Sequence, residues 1–369
     1  MSAGVKNTPL FAEHIAIGAK MAPFANWNMP INYGDGIIAE HNHTRNAASI
    51  FDICHMGELR VYGPGAAAAL DKILARPVLD QALGVCRYNF LLNDRGGVVD
   101  DLIVYAMAPE DFFIVVNAAN VRADEALLAA LLPQGVLLEN LSAAIAKIDL
   151  QGPASAKVLN QLGVTNEELP GYFHCKTQLI SGIPCILSRT GYTGELGFEL
   201  YFDEERASEL WDILLLTDPV RPAGLGARDT LRLEVGYPLH GHELSEEISL
   251  IEAGFGPLLK LKTNPDRDFH GRAALLAKPV ARKLVGIKLA GRRASRAGSA
   301  IYNEKEEPVG IVTSGAFGPS VGCAVAMGYV DTAFAAEGTK LLLDAGSAKL
   351  PGEVVELPFY HEGSVRCKL

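Results

Sequence analysis

The chain has 369 residues, 49% of them hydrophobic and 21% charged, a balance that excludes wholesale disorder and suits two or three domains. Its 33 Lys and Arg against 43 Asp and Glu leave a net charge of −10. Such a surface repels phosphate backbones and anionic head groups, so no nucleic acid and no membrane is expected as partner, though a local basic pocket for a small anion remains open. No stretch approaches the roughly 18–20 apolar residues needed to span a bilayer. Met1–Lys20 has neither the basic patch and apolar core of a secretory signal nor the Arg content of a transit peptide, so the expected location is cytoplasmic, or the chain is a mature form without its leader. Six cysteines (Cys54, Cys86, Cys175, Cys185, Cys323, Cys367) lie far apart with no CxxC pair, which points to reduced thiols rather than a disulfide framework or zinc site.

In chain order, a β-branched strand is predicted at Glu58–Tyr62 and a helix at Gly65–Ala75. Strands follow at Leu102–Tyr105 and Phe112–Val116, then helices at Val121–Leu132 and Ala154–Leu162. Strands at Ile183–Ser188 and Gly197–Phe202 precede a helix at Glu204–Leu215, and another strand is predicted at Leu284–Leu289. Strands with scattered helices and no strict βαβα alternation indicate an α+β fold. Val61-Tyr62-Gly63-Pro64-Gly65-Ala66 echoes Leu150-Gln151-Gly152-Pro153-Ala154-Ser155. Each reads as a strand end, a Gly turn and a Pro at a helix's first position; either two related modules or ordinary helix-start chemistry explains the echo. Lys260–Asp268 reads as a polar connector, and Arg282–Leu369, rich in Gly turns, as a small β-rich, barrel-like domain. The basic run Arg292, Arg293, Arg296 reads as a solvated turn, with anion binding the alternative.

Three segments carry candidate chemistry. In Arg95-Gly96-Gly97-Val98-Val99-Asp100-Asp101-Leu102-Ile103-Val104-Tyr105, a Gly-Gly turn feeds a strand opening on two carboxylates. Strand neighbours point to opposite faces, so Asp100 and Asp101 do different jobs. Asp101 shares its face with Ile103 and Tyr105 and is either a strand-end cap or a buried acid of altered protonation. In Ser188-Arg189-Thr190-Gly191-Tyr192-Thr193-Gly194-Glu195-Leu196-Gly197-Phe198-Glu199-Leu200, a bent loop enters a strand whose Glu199 lies opposite its apolar neighbours, which by itself favours a solvent-facing position. In Gly226-Ala227-Arg228-Asp229, a helix beginning near Ala227 sets Arg228 in its first turn, where a cation opposes the helix dipole and needs an acidic or anionic partner. A structural ion pair is the plain alternative. His240-Gly241-His242 with Glu243 fits no standard metal-ligand spacing.

Together these motifs resemble the glycine cleavage T-protein, or aminomethyltransferase, family. The likeness runs nearly end to end, in family order: Thr8-Pro9-Leu10 with Gly18-Ala19-Lys20-Met21 and Trp27-Asn28-Met29-Pro30; Phe51-Asp52-Ile53-Cys54-His55-Met56-Gly57-Glu58; Gly96–Leu102; Val116–Asn120; Arg189–Glu195; Gly226–Asp229 with Leu231–Glu234; and Pro358-Phe359-Tyr360. The resemblance implies three domains in a cloverleaf around a central folate pocket. Their expected bounds are 1–53 with 145–255, 54–144, and 280–369. It implies transfer of the methylene carbon of an aminomethyl-dihydrolipoyl arm of H-protein to tetrahydrofolate, with release of ammonia and with neither a metal nor pyridoxal phosphate. Residue by residue it implies Asp101 as the key acid, Glu199 as the pterin-binding carboxylate, and Tyr88, Asn117, Tyr192, Arg228 and Arg366 as further pocket residues. Phe255-Gly256-Pro257 stands where the family usually has a Trp; Ala25-Asn26-Trp27 replaces Ala-Gly-Trp; Cys54 replaces Ser before His-Met-Gly; and the C-terminal basic segment is reduced to Arg366-Cys367-Lys368. A demethylase passing a methyl group from a sulfonium, amine or aryl ether to tetrahydrofolate, and a non-catalytic folate-binding accessory protein, are the rival readings.

Overall fold

A computed structural model describes residues 4–369; Met1–Ala3, part of the N-terminal stretch read for targeting, lie outside the described residues. The strand Ile145–Gln151 sets the first layer. Its apolar residues Ala146, Ile148 and Leu150 alternate into a core with Phe198, Leu200, Phe202 and the helical Trp211. It is a central strand of a six-stranded sheet in the order Cys175–Ile180, Ile183–Ser188, Gly197–Asp203, Ile145–Gln151, Ala48–Asp52, Val220–Pro222. All neighbours run antiparallel except the last pair. The opposite, polar side chains of that strand do not reach water: Lys147 is 1% exposed, and Asp149 and Gln151 are fully buried.

Asp149 is covered by Arg228 of the helix Leu225–Glu234 and Gln151 by Thr190 and Thr193, while beside Lys147 the face meets, at Tyr201, a second, five-stranded antiparallel sheet, ordered Cys86–Leu92, Val98–Ala108, Asp111–Val116, Gly57–Tyr62, Leu137–Asn140. One face of it (Leu59, Val61, Leu102, Val104, Ile114) packs against the helices Ala66–Ile73 and Val121–Leu131. From the other face Tyr105, Phe113 and Val115 meet Tyr201 of the first sheet. The seam between the sheets is thus lined by the alternate residues of both.

C-terminal to these, six strands from Arg282–Leu289 to Lys349–Val355 close into a barrel, the first pairing with the last from Gly286↔Val355 to Leu289↔Gly352. The α+β class and the terminal barrel agree with expectation. Among the described residues no helix is long and apolar enough to cross a membrane. All six cysteines are free thiols, four of them buried.

Two local expectations need correction. Pro64 and Pro153 do not open their helices, which begin two residues later at Ala66 and Ser155. In both turns the first helical N–H instead donates back, at 3.0 Å, to the carbonyl of Gly63 or Gly152. Lys260–Asp268, the polar connector, is also packed at one residue. Its Arg267, 7% exposed, donates to the carbonyls of Asp71, Leu74 and Ala75 at the end of the helix Ala66–Ile73, groups with no intrahelical partner. The helix expected over Glu204–Leu215 is a 3₁₀ turn at Glu204–Arg206 followed by Ala207–Leu215, because Asp203 caps the backbone N–H of Glu205 at 3.0 Å. The run Arg292, Arg293, Arg296 is exposed, and Arg293 and Arg296 donate to the carbonyls of Ala345 and Gly315, as a solvated turn should.

Candidate active site

The strand Val98–Ala108 reaches the seam through a turn that only glycine permits. A Cβ on Gly97 would stand 1.7 Å from the Glu246 carbonyl oxygen, so the backbone of the segment after His240 lies directly against it. Past this contact Asp100 and Asp101 point to opposite faces. Asp100, fully buried, accepts from the backbone N–H and Nδ2 of Asn117, both at 2.9 Å, and from Asn120 Nδ2 at 2.7 Å. Beside it lies Asp124 from the helix Val121–Leu131, also fully buried and with no N–H or O–H donor on either oxygen. Burial first, and the Asp100 charge second, push the Asp124 carboxyl up to about 10. Asp124 therefore keeps its proton, since burial and the Asp100 charge both oppose a second carboxylate there.

On the other face Asp101 is half-buried. It accepts from the Tyr88 hydroxyl at 2.8 Å and from Asn117 Nδ2 at 3.1 Å, so the Asp100 side fixes Asn117 and Asn117 fixes Asp101. Burial and the neighbouring Asp100 charge raise its carboxyl to about 7, against the opposing pull of the Tyr88 hydroxyl. His240 lies 3.0 Å from Asn120 Nδ2 through Nδ1 and 3.2 Å from the Val98 carbonyl through Nε2, which makes it an Nε2–H tautomer bracing the same cluster. Glu243 is a structural acid, accepting from Arg232 and the Leu239 N–H, each at 2.9 Å, and from Thr313 at 2.6 Å. Among the described residues no group of three or more His, Cys, Asp or Glu is placed to hold a metal ion.

Glu199 comes from the facing sheet, and here the solvent-facing expectation is corrected: it is 4% exposed, because the second sheet covers the polar face of its strand. Lys147 Nζ sits 3.0 Å from its Oε1, while Oε2 accepts from Thr190, from Tyr201 at 3.2 Å and from Tyr105 at 3.3 Å. Burial alone would raise this carboxyl; the Lys147 ammonium, the Thr190 hydroxyl and Arg228 hold it below the ordinary range. Glu199 is therefore a fixed anion, and its Oε1, with only Lys147 on it, retains acceptor capacity. Arg228 does find an acid, pairing with fully buried Asp149, and its guanidinium lies 4.9 Å from the Tyr192 ring centre.

Tyr105 ties the two halves together. It shares a strand face with Asp101, four residues or about 13 Å away along the strand, and its hydroxyl touches Glu199. Tyr88 and Asp101 stand on one sheet and Glu199 on the other, with Tyr105 between them, while Arg228 reaches Tyr192 and Asp149 from the helix Leu225–Glu234. Phe255, at the position where a Trp is usual, walls it at 6.0 Å from Tyr88, while Pro257 is exposed.

Family models match almost the whole length: the "GCVT N-terminal domain" over residues 10–263 and the "Glycine cleavage T-protein C-terminal barrel domain" over residues 282–361. The chain belongs to the glycine cleavage T-protein family. An aminomethyltransferase of Cutibacterium acnes is 42% identical over 96% of this chain and 98% of its own length. One of Saccharopolyspora erythraea is 41% identical over 97% of this chain and 99% of its own. The crystal structure of the glycine cleavage system aminomethyltransferase T from Bartonella henselae superposes with a TM-score of 0.92 at 36% identity, covering 98% of this chain and 99% of that one.

In this member of the T-protein family Arg366 stands apart from the other expected residues. It is exposed, 5.8 Å from the Tyr172 ring; Tyr172 neighbours Tyr237, whose ring centre lies 5.9 Å from that of Tyr192. The tail carrying it is anchored by buried Arg189, which donates to the Cys367 carbonyl at 2.6 Å, and by Ser364, which bonds Glu195. Residue reasoning missed Lys147, Asp149, Tyr105 and Tyr201. The alternation of polar Lys147, Asp149 and Gln151 with apolar neighbours was the available signal, and it says nothing about what covers the polar face.

Proposed function

We propose that this protein works in glycine cleavage in the cytoplasm, taking the aminomethyl group from the dihydrolipoyl arm of a lipoylated H-protein and passing its methylene carbon to tetrahydrofolate with release of ammonia. Tetrahydrofolate, when bound, supplies the nucleophilic ring and aryl amines that accept the carbon. The observation that carries the reading is the pairing of a fixed carboxylate, Glu199, with a half-buried acid near neutrality, Asp101, across one aromatic-walled seam. The donor set fits a pterin: Glu199 accepts from a ring N–H and its adjacent amine, and Lys147 keeps Glu199 ionised. Tyr88 and Tyr192 flank a flat ring, and Asn117 orients Asp101. Arg228, neutralised in part by Asp149, shapes the pocket and keeps Tyr192 in place. Arg366, exposed near the rim, is suited to the anionic glutamyl tail. Ionised Asp101 faces the positive charge that develops on the aminomethyl carbon as ammonia departs, and stabilises it through space. The reading assigns no step to a metal or to pyridoxal phosphate.

The test mixes the protein with tetrahydrofolate and aminomethylated lipoyl H-protein and measures ammonia. One ammonia per loaded arm, dependent on folate, is expected. Methyl transfer from a sulfonium, amine or aryl ether with no ammonia from H-protein would establish the demethylase instead. Tight folate binding with no turnover on any donor would establish the accessory role.

A further inference from the structure

The strand Gly57–Tyr62 turns Leu59 and Val61 into the core, so Glu58 points the other way, opposite Val115 and onto the face that carries Asp101 and Tyr105. Glu58 is 1% exposed, and neither of its carboxyl oxygens has a hydrogen-bond partner. A buried carboxyl left without a partner is destabilising. The backbone N–H of Glu58 donates to Ser142 Oγ at 3.0 Å, so the main chain does not take up the carboxyl.

The charged and titratable groups facing it are Lys147, Glu199 and Tyr201 from the opposite sheet and Cys54 from the preceding loop. Lys147 is committed, 3.0 Å from Glu199 Oε1 and 3.6 Å from Met56 Sδ. Burial raises the Tyr201 hydroxyl and the Cys54 thiol well above their ordinary values, so neither titrates near neutrality. Burial, with the Glu199 charge acting against that of Lys147, pushes Glu58 itself up to about 8. At neutral pH it is an O–H donor with no acceptor, beside a carboxylate that accepts.

A pterin edge presents the complementary pattern, a ring carbonyl next to a ring N–H and an amine. We propose that Glu58 is a second pterin-recognition residue: its protonated carboxyl donates to the ring carbonyl while Glu199 accepts from the adjacent N–H groups. This rests on the folate reading above. It adds a specificity element, because a ring lacking that carbonyl leaves the Glu58 donor unpaired.

Titrate tetrahydrofolate into wild type, Glu58→Gln and Glu58→Leu from about pH 6.5 to about pH 9.5, with melting curves alongside. Rising pH ionises Glu58, removes the donor and sets a second anion beside Glu199, so wild-type affinity falls about tenfold between pH 7 and pH 9. Glu58→Gln keeps a donor that cannot ionise, so it binds within about threefold of wild type at pH 7 and shows no alkaline loss. Glu58→Leu loses roughly tenfold or more at pH 7, yet melts no lower than wild type, because no buried pair is broken. Wild-type affinity in Glu58→Leu, or an alkaline loss that persists unchanged in Glu58→Gln, overturns the proposal. If wild type binds no folate at any pH, the folate reading fails, and this assignment with it.

Discussion

Asp101→Asn lowers aminomethyl transfer by roughly a hundredfold or more, the usual effect of removing one preorganised charge from a transition state, while tetrahydrofolate binds as before. The side chain keeps its shape: its Oδ1 still accepts from Asn117 and its Nδ2 donates to the Tyr88 hydroxyl oxygen, so the negative charge is the main loss. Two pH signatures separate this from general damage. Asp101 is held up to about 7, so wild-type activity rises through that pH as the carboxylate forms, and the residual activity of the Asn variant has no such limb. Stability moves the other way. A carboxyl whose folded pKa exceeds its unfolded one, about 3.9, keeps its proton in the folded state over an interval where the unfolded chain has lost it, so stability falls as pH rises between those values. Asp101→Asn is therefore expected to melt above wild type at pH 8, with the gap closing towards pH 4. A variant as fast as wild type, or less stable at pH 8, contradicts the assigned role.

Glu199→Gln has the second large effect, and it has two parts. Folate affinity falls by about 1–3 kcal/mol, the range for a charge-assisted hydrogen bond. The melting temperature falls as well, because Lys147, 1% exposed and 3.0 Å away, is left as an unpaired buried cation. The parts are separable by adding Lys147→Met. The double variant recovers the melting temperature, since the stranded charge is gone, but not the affinity. Equal folate affinity in Glu199→Gln and wild type removes the pterin assignment. Recovery of affinity by Lys147→Met would mean that folding, not recognition, caused the loss.

What the sequence revealed, and what it hid, follows from the range of the interactions. Strand alternation correctly separated Asp100 from Asp101 and grouped Asp101 with Ile103 and Tyr105, because that geometry is local. The α+β class and the Gly-rich barrel were equally local readings. Glu199 was different. Alternation placed it opposite Phe198 and Leu200, but whether that side meets water depends on the sheet carrying Tyr105, some ninety residues earlier. The acid holding Arg228 is Asp149, on another strand, and Arg267 caps a helix end far upstream. No spacing rule reports such pairings. Family motifs bridged part of this gap, since they bring residues of distant segments under one pattern, yet Glu58 lay inside one of them with no role attached. Its meaning rests on burial and on missing partners, which only the fold exposes.

If one reduced pterin is held in the seam between the two sheets, a crystal structure with a stable reduced folate will show it. Ring density is expected between Tyr88 and Tyr192, with the amine edge on Glu199 and the transferring nitrogens turned towards Asp101. Density confined to another hollow, such as the cavity of about 150 Å³ lined by Tyr33, Glu40, His43 and Arg221, would contradict it.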